Sequence, residues 1–393
     1  MGLHVLRVVA RTAVALVSAA TLVATGVGWS LQRQVTAAIV TSNAVAPAVP
    51  VQPGQAFTAL LVGLDARTDA SGNPLPTATL DALHVGPDDG QLHTDTMILL
   101  HVPADPGAPA VAISIPRDSY VPIAGDRGTH KINSAYGRAF DDQQKTLTAQ
   151  GVTGAALDQQ SREAGRAATI ATVEALTGVQ IDHYAEINFA GFVDLTATLG
   201  GVPVCLNQAV SDSYSGIDLP AGPQTVNGTT ALAFVRQRHG LDGGDLDRVA
   251  RQQAFIAGLT TRLRSTGALT DPAKLAQLVD VASRYVVIDS GWDLDQAVAQ
   301  MARLAGDNLT FYTIPTGRPD LRTPYDGVAV QIDKAAVQEF VGGLVSGVVP
   351  TAPPVQIEPA GNPAPTSAAA PTTTAAPTTA PRVISADGVP CVN

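Results

Sequence analysis

Residues 59–67 read Ala-Leu-Leu-Val-Gly-Leu-Asp-Ala-Arg, an uncharged apolar run followed at once by an acidic and a basic side chain. Such a run predicts a β-strand buried on both faces of a sheet. The next buried strand is predicted over 97–102, and Asp95 lies just before it. If these strands pair antiparallel, Asp65 and Asp95 fall at one edge of the sheet. Proteins usually bind Mg²⁺ through one or two carboxylates and leave its other coordination positions to phosphate and water. The alternative is that both acids only form turns.

Apolar runs and helical spacings continue along the chain from these two strands. Gly178 supplies a helix stop and Asn188 a helix N-cap. The alternation predicts an α/β (α+β) fold, one large domain over residues 53–347 with a central mixed β-sheet sandwiched by helices. Further strands are predicted over 110–115, 202–206, 309–315 and 328–332, and helices over 161–177, 189–199, 245–265, 294–304, 334–345 and from 272 onward.

Composition excludes several classes of protein. The chain has 393 residues, of which 45% are hydrophobic and 15% charged, so wholesale disorder is excluded. Its formal net charge of −10 argues against a nucleic-acid partner. The sequence contains no GxxxxGK[ST], GxGxxG, HExxH or GxSxG motif, which disfavours nucleotide-driven phosphoryl transfer, zinc hydrolysis and serine-hydrolase chemistry.

The N-terminal region predicts a membrane anchor. Residues 12–32 carry no charge over about 21 positions, the length that a helix needs to cross a bilayer. Two arginines precede the segment, so residues 1–11 are expected in the cytoplasm and the rest outside the cell membrane. Residues 33–52 then form a linker. The alternative is a cleaved signal peptide, which exports the same domain.

The C-terminal region is of low complexity. Residues 350–381 consist almost wholly of Pro, Ala and Thr, which predicts a disordered tail, and a short segment over 382–393 follows. This segment carries Cys391, whose one intrachain partner is Cys205. An exported chain permits a disulfide between them, whereas the alternative is that Cys205 is a small buried apolar residue.

Basic side chains are scarce, yet four arginines fall within 16 positions. Arg236 and Arg238 project to one side if the chain is extended there. Arg248 and Gln252 share one face of the predicted helix. Since an arginine fork matches phosphate oxygens, such a cluster suits a multiply charged anion such as a diphosphate. The alternative is that neighbouring aspartates neutralise these arginines as surface ion pairs.

Seven stretches, in their order along the chain, resemble the LytR–CpsA–Psr family of cell-envelope proteins, especially its actinobacterial members. The resemblance implies a membrane-anchored, extracytoplasmic phosphotransferase that transfers a glycan from a polyprenyl-diphosphate carrier to peptidoglycan, forms a phosphodiester and needs Mg²⁺ or Mn²⁺. The actinobacterial character favours arabinogalactan as the glycan. The stretches, which cover roughly residues 57–260, are LLVGLDAR, HTDTMILLHV, AISIPRDSYV, HKINSAYGRAF, IDHYAEINFAGFVDLTATLGGV, LPAGPQTVNGTTALAFVRQRH and GDLDRVARQQAF.

The resemblance also implies roles for individual residues, matched position by position. Asp65 and Asp95 correspond to metal ligands. His93 stands where the family usually has arginine, so one phosphate contact there requires a protonated histidine. The pyrophosphate-binding set is Arg67, Arg117, Lys131, Arg236, Arg238, Arg248 and Gln252, and the catalytic set is Arg117, Arg236, Arg238 and Asp247.

Other functions compete with the transferase. The same residues serve a polyprenyl-diphosphate pyrophosphatase if water replaces the sugar hydroxyl, and Asp118 and Asp247 are both candidates for the general base. A non-enzymatic module that binds wall glycan also fits an ion-paired surface. A transcription regulator fits poorly, because the chain is acidic, carries a predicted membrane segment and lacks an evident helix-turn-helix.

Overall fold

The computed structural model describes residues 39–45, 51–52, 54–83, 92–237, 240–241, 245–292, 300, 309–348, 384–385 and 389–393. The predicted anchor over 12–32, all but one residue of the predicted helix over 294–304 and the predicted tail over 350–381 lie outside these ranges. Within them, no helix combines the length and the apolar character that spanning a bilayer requires. The chain divides into two compact units, Met1–Ile39 and Val40–Asn393, and the elements below belong to the second.

The β-strands form four sheets, of which one has eight strands and dominates the domain. Numbered along the chain, the strands are β1 (Val40–Ser42), β2 (Phe57–Asp65), β3 (His93–Val102), β4 (Ala110–Ser114), β5 (Ser119–Pro122), β6 (Thr129–Lys131), β7 (His183–Asn188), β8 (Val202–Leu206), β9 (Val210–Asp212), β10 (Ile217–Leu219), β11 (Gly222–Val226), β12 (Val286–Asp289), β13 (Leu309–Thr313), β14 (Leu321–Arg322), β15 (Val328–Gln331), β16 (Ile384–Ser385) and β17 (Cys391–Val392).

The large sheet has the strand order β1-β12-β7-β2-β3-β4-β13-β16. Its neighbours β2 and β3 are antiparallel, as are β3 and β4. In contrast, β2 and β7 are parallel, as are β4 and β13. The central mixed sheet predicted from the sequence is therefore confirmed.

Five of the described helices lie where the sequence predicted them, whereas those over Thr77–Leu83 and Ala135–Ala149 were not predicted. The helix Gly154–Thr177 ends where Gly178 adopts a left-handed conformation with φ 74°. At the start of the helix Phe189–Thr198, the Asn188 side chain accepts a hydrogen bond from the amide of Gly191 at 2.8 Å. The helices are α1 (Thr77–Leu83), α2 (Ala135–Ala149), α3 (Gly154–Thr177), α4 (Phe189–Thr198), α5 (Gly228–Arg236), α6 (Asp245–Thr266), α7 (Pro272–Tyr285) and α8 (Lys334–Val345).

Helices cover both faces of the large sheet. On one face, Leu60 of β2 packs in a cluster with Val173 of α3 and Val341 of α8. On the other face, Ala59 of the same strand packs in a cluster with Ala257 of α6. Successive residues of a strand point to opposite faces, so a strand covered on both faces must be apolar throughout. This is why the uncharged run in β2 predicts the centre of the fold.

The extended conformation predicted around Phe234 and Arg236 is wrong. These residues form the last turn of α5, and the chain leaves the helix only at Gln237, with φ −53° and ψ 136°. The cause is the buried run Ala231–Val235, in which alanine and leucine favour helix and every side chain packs inward. Arg238 lies outside the described residues.

A smaller sheet connects the C-terminal segment to the domain. Its order is β11-β8-β17, and β17 runs parallel to β8 with Cys391 opposite Cys205. The two cysteines form a disulfide, with their Cα atoms 4.3 Å apart. The predicted alternative, an unpaired buried Cys205, is therefore wrong.

Candidate active site

The two predicted metal-binding carboxylates lie at one edge of the large sheet. Since β2 and β3 are antiparallel, Asp65 at the end of one strand is close to Asp95 near the start of the other. Gly63 pairs with Thr96, but the next residue of β2 pairs with Thr94, which leaves Asp95 as the extra residue of a β-bulge. A bulge redirects the side chain that it carries. The local irregularity therefore sets the direction of one of the two acids.

Asp65 lies in a concentrated electrostatic environment. Its carboxylate forms an ion pair with Arg67. Burial and the charge of Asp95 raise the pKa of Asp65 from 3.8 to about 6, although Arg67, Arg236 and Arg117 act to lower it. Each of these four charges must therefore lie close to Asp65. The predicted convergence of acids and arginines around this edge is present in the fold.

A chain of ion pairs continues from Asp95. Its carboxylate pairs with Arg117, which follows β4, and the Arg117 Nε lies 3.5 Å from the Asp118 carboxylate. That carboxylate lies 3.2 Å from the Lys131 Nζ at the end of β6. Burial disfavours the charged form of Arg117, but the negative charges of Asp95, Asp118 and Asp245 prevail and raise its pKa. Arg117 is therefore held as a cation between acids from three different elements.

Arg236 reaches the same region from the end of α5. Its guanidinium lies over the ring of Phe189, 4.8 Å from the ring centroid, and its Nη1 donates to the carbonyl of Leu83 at 3.4 Å. Cation–π contact and a backbone acceptor both restrict the position of the side chain. The arginine fork is thus oriented by neutral groups while its charge acts on Asp65.

The first turns of α6 contribute Arg248 and Asp245, one of the neighbouring aspartates that the alternative expected to neutralise the arginines. Arg248 is 3% exposed and pairs with Asp245, the first residue of the helix. The charge of Asp245 also acts on Arg117, so α6 faces the strand edge. Gln252 turns towards α5 instead, where its Nε2 donates to the carbonyl of Val235 at 3.5 Å. In the sequence, Asp245 is recognisable as an acid that lies between the pair Arg236 and Arg238 and the helical Arg248.

The remaining predicted residues are less tightly tied to this cluster. His93 lies opposite Asp65 in the strand register, next to the site. Asp247 lies in the first turn of α6, where its charge acts on Arg251. Arg238 lies outside the described residues, so its predicted role stays a prediction.

Sequence reasoning also missed the contact between Arg251 and Gln237. Arg251 is fully buried and its Nη1 donates to the Gln237 Oε1 at 2.6 Å. Arg251 is the fourth arginine of the predicted cluster but was given no role of its own, Gln237 was not predicted, and the contact joins positions 14 residues apart. A local pattern carries no signal for a contact of that separation.

The carboxylates fit a divalent cation that is bound mainly by its substrate. Among the described residues, no group of three or more histidine, cysteine or acidic side chains could hold a metal ion by itself. Asp65 and Asp95 supply hard oxygen ligands, and their mutual repulsion adds to the effect of burial in raising the pKa of Asp65. A cation between them would relieve that repulsion. Mg²⁺ characteristically takes one or two carboxylates and completes its shell with phosphate and water.

Two proteins with similar sequences have names that refer to the cell wall or to peptidoglycan. The chain is 42% identical over 335 residues to the cell wall biosynthesis protein LcpA of Corynebacterium glutamicum, which covers 84% of this chain and 64% of that one. It is 33% identical over 231 residues to the polyisoprenyl-teichoic acid–peptidoglycan teichoic acid transferase TagU of Oceanobacillus iheyensis, covering 58% and 63% respectively. The chain thus spans less than two thirds of the length of these relatives.

Solved structures share the fold. Bacillus subtilis TagV superposes with a TM-score of 0.54 at 22% identity, covering 76% of this chain and 98% of that one. TagT bound to LI-WTA gives a TM-score of 0.52 at 21% identity, covering 78% and 99%. The LytR–CpsA–Psr family model matches residues 29–341, the range that contains the sheet edge, the bulge and the arginines described above. By sequence and by fold, this chain belongs to the LytR–CpsA–Psr family.

Proposed function

We propose that this protein is a membrane-anchored, extracytoplasmic phosphotransferase that transfers a glycan from a polyprenyl-diphosphate carrier to peptidoglycan. The printed names of the relatives support the reaction class, since LcpA is a cell wall biosynthesis protein and TagU transfers teichoic acid to peptidoglycan. The actinobacterial relative supports arabinogalactan as the glycan. The uncharged segment over 12–32 supports the anchor and the location on the outer side of the membrane.

One observation carries the proposal: Asp65 and Asp95 share a sheet edge with arginines delivered by three separate elements. Arg67 follows β2, Arg117 follows β4 and Arg236 ends α5. All three act on the charge of Asp65. Such a concentration of cations around two acids suits a diphosphate and its divalent cation. A surface of ordinary ion pairs does not need partners from so many elements.

The chemistry follows from the charge that develops during transfer. The acceptor hydroxyl oxygen attacks the phosphorus that carries the glycan, and the bond from that phosphorus to the bridging oxygen breaks. The bridging oxygen leaves with the polyprenyl monophosphate, and the hydroxyl proton passes to a base or to solvent. Arg117, Arg236 and Arg248 are placed to bind the phosphoryl oxygens as their negative charge grows. Asp65 and Asp95 would hold the Mg²⁺ or Mn²⁺ ion, which would supply additional neutralisation of the phosphate charge.

The acids near the arginines differ in which cations they act on. Asp118 contacts both Arg117 and Lys131, and Asp245 contacts Arg248, so these carboxylates orient the cations. The charge of Asp247 acts on Arg251, which lies outside the predicted pyrophosphate-binding set. Asp118 is the better placed of the two predicted candidates for the general base, because it lies beside the arginine that follows β4.

The test is product analysis with purified protein in detergent. A synthetic polyprenyl-diphosphate-linked glycan serves as donor and peptidoglycan fragments as acceptor, with Mg²⁺, with Mn²⁺ or with EDTA. The proposal expects a glycan–phosphate–peptidoglycan adduct by mass spectrometry, its loss with EDTA, and its loss in Asp65→Ala and Arg117→Ala. Arg127→Ala is the matched control, because Arg127 pairs with Asp142 on the exposed surface.

Two outcomes would replace the proposal. Release of free glycan phosphate at the same rate with and without acceptor would indicate a pyrophosphatase. Donor binding without turnover, retained in Asp65→Ala, would indicate a binding module.

A further inference from the structure

The residue that follows Arg236, Gln237, is hydrogen-bonded to a buried arginine, Arg251. Gln237 is 2% exposed, and its side-chain oxygen accepts from the Arg251 Nη1 at 2.6 Å. The same guanidinium lies over the ring of Phe234, 5.2 Å from its centroid. Arg251 therefore contacts α5 on both sides of Arg236, the residue that carries the phosphate-binding fork.

Arg251 is an unusual residue to find in this position. It is fully buried, and burial lowers its pKa to about 10 while the charge of Asp247 partly offsets the decrease. A buried cation is stabilised by the hydrogen bonds that its donors make. The Arg251 Nε and Nη1 each make one, whereas the buried Nη2 has no hydrogen-bond partner among the described residues. A change in either acceptor is transmitted to the other through the rigid guanidinium plane.

The second fixed acceptor is the C-terminal segment. The Arg251 Nε donates to the backbone carbonyl of Asn393. The preceding residue, Val392, is 2% exposed and packs in the same apolar cluster as Phe234. The amide of Asn207 donates to the carbonyl of Val392 at 2.9 Å, so this short segment is bonded along β8.

The covalent link keeps that acceptor in place. β17 has only two residues, Cys391 and Val392, and a pair of strand residues contributes few hydrogen bonds. The Cys205–Cys391 disulfide joins this short strand to β8, and α6 packs closely on β8. The strand, the disulfide and Arg251 together form a continuous connection from the C-terminal segment to the end of α5.

We propose that Arg251 is a positioning residue that holds the Arg236–Gln237 segment in its phosphate-binding arrangement, and that the Cys205–Cys391 disulfide maintains this position by fixing Asn393. The inference rests on the proposed function for its ligand, a diphosphate. It adds a structural condition: the anion site is complete only in the oxidised chain.

The experiment compares full-length variants by two independent measurements. Binding of inorganic pyrophosphate in the presence of Mg²⁺ is measured by calorimetry, and hydrogen exchange of a peptide spanning 232–237 is measured by mass spectrometry. Both are carried out at a temperature where circular dichroism shows every variant folded. Arg251→Met and the Cys205→Ala/Cys391→Ala pair are expected to bind pyrophosphate at least tenfold more weakly and to exchange at least tenfold faster.

Arg262→Met is the matched control. Arg262 lies about three turns further along α6 and also donates to two backbone carbonyls, those of Leu199 and Gly200, neither of which belongs to α5. It is expected to leave both measurements unchanged. Gln237→Met keeps Arg251 and removes its acceptor, so it repeats the expected effect should Arg251→Met fail to fold.

The outcomes separate the two proposals. Unchanged exchange over 232–237 in Arg251→Met and Gln237→Met, or an equal change in Arg262→Met, overturns the positioning role. If the wild-type chain binds no pyrophosphate, the proposed function fails, while the exchange measurement still decides whether Arg251 and the disulfide hold the segment.

Discussion

Asp65 is a carboxylic acid in a place where its negative charge is unfavourable. Burial and the nearby charge of Asp95 raise its pKa from 3.8 to about 6 despite three arginines. A folded-state pKa above the unfolded value means that the protonated acid stabilises the fold at low pH. This stabilisation is lost as the pH rises through about 6, so the ionised Asp65 destabilises the metal-free protein at neutral pH.

Asp65→Asn is therefore expected to stabilise the metal-free protein at neutral pH. A shift of about two pKa units corresponds to roughly 2–3 kcal/mol. The difference in unfolding free energy between variant and wild type should be small near pH 4, grow through pH 6 and level off above pH 7. Urea unfolding in EDTA across this range measures it. A pH-independent difference would contradict the raised pKa of Asp65.

Arg117 is expected to tolerate lysine poorly. Its guanidinium contacts Asp95 and lies 3.5 Å from the Asp118 carboxylate, and a lysine ammonium cannot span both acids. Loss of one charge-assisted hydrogen bond costs about 1.5–3 kcal/mol, so Arg117→Lys should lower kcat/KM for the transfer by roughly 10- to 100-fold.

Steady-state kinetics on the donor measures this loss. The control is Arg127→Lys, at an exposed pair with Asp142, which should retain wild-type kinetics. If the two lysine variants had equal kinetics, Arg117 would not belong to the active site.

At the scale of elements, the contact between α6 and β8 depends on a glycine. A Cβ added at Gly258 would lie 2.1 Å from the carbonyl oxygen of Pro203, which belongs to the backbone of β8. Gly258→Ala gains about 1 kcal/mol of helix propensity. The clash with a fixed backbone atom forces α6 away from β8 and costs more, so a net destabilisation of about 1–3 kcal/mol is expected.

Gly342→Ala in α8 is the control, because a Cβ there meets no atom within 4 Å. It should stabilise the protein by up to about 1 kcal/mol, through helix propensity alone. Calorimetric melting temperatures that move in the same direction for both variants would refute the close approach of α6 to β8.

At the scale of the whole molecule, the disulfide closes a long loop. Cys205 and Cys391 are 186 residues apart in the sequence. The chain-entropy relation gives about 5 kcal/mol for a loop of this length, and measured bridges typically contribute about 2–4 kcal/mol. Reduction should therefore lower the free energy of unfolding by about 2–5 kcal/mol.

Urea unfolding with and without dithiothreitol measures the effect of reduction. The Cys205→Ala/Cys391→Ala variant is the control and should show no response to the reductant. Coincident curves for the oxidised and reduced wild-type chain would contradict a stabilising bridge.

Local sequence signals predicted β2, β3 and β4 and the helices α3, α4 and α6 correctly, because the physics behind them is local, but they missed others such as β7, α1 and α2. An apolar run must be buried on both faces, Gly178 can adopt a left-handed conformation without strain, and the Asn188 side chain can cap a helix next to it in the chain. From the sequence, Asp65 and Asp95 were expected to meet only if β2 and β3 paired antiparallel. The strands do pair antiparallel, and the two acids therefore lie close together.

The amino-acid order alone determined the central strands, the helix ends and the identity of the acids and arginines at the candidate site. Only the tertiary structure decided which of them meet. The bulge at Asp95, the disulfide and the contact of Arg251 with Gln237 depend on packing between different segments of the chain, whereas Arg248 and Asp245 pair within one helix, three residues apart. Burial of apolar faces specifies that packing through the sum of many weak contacts, so no short window of sequence contains the information.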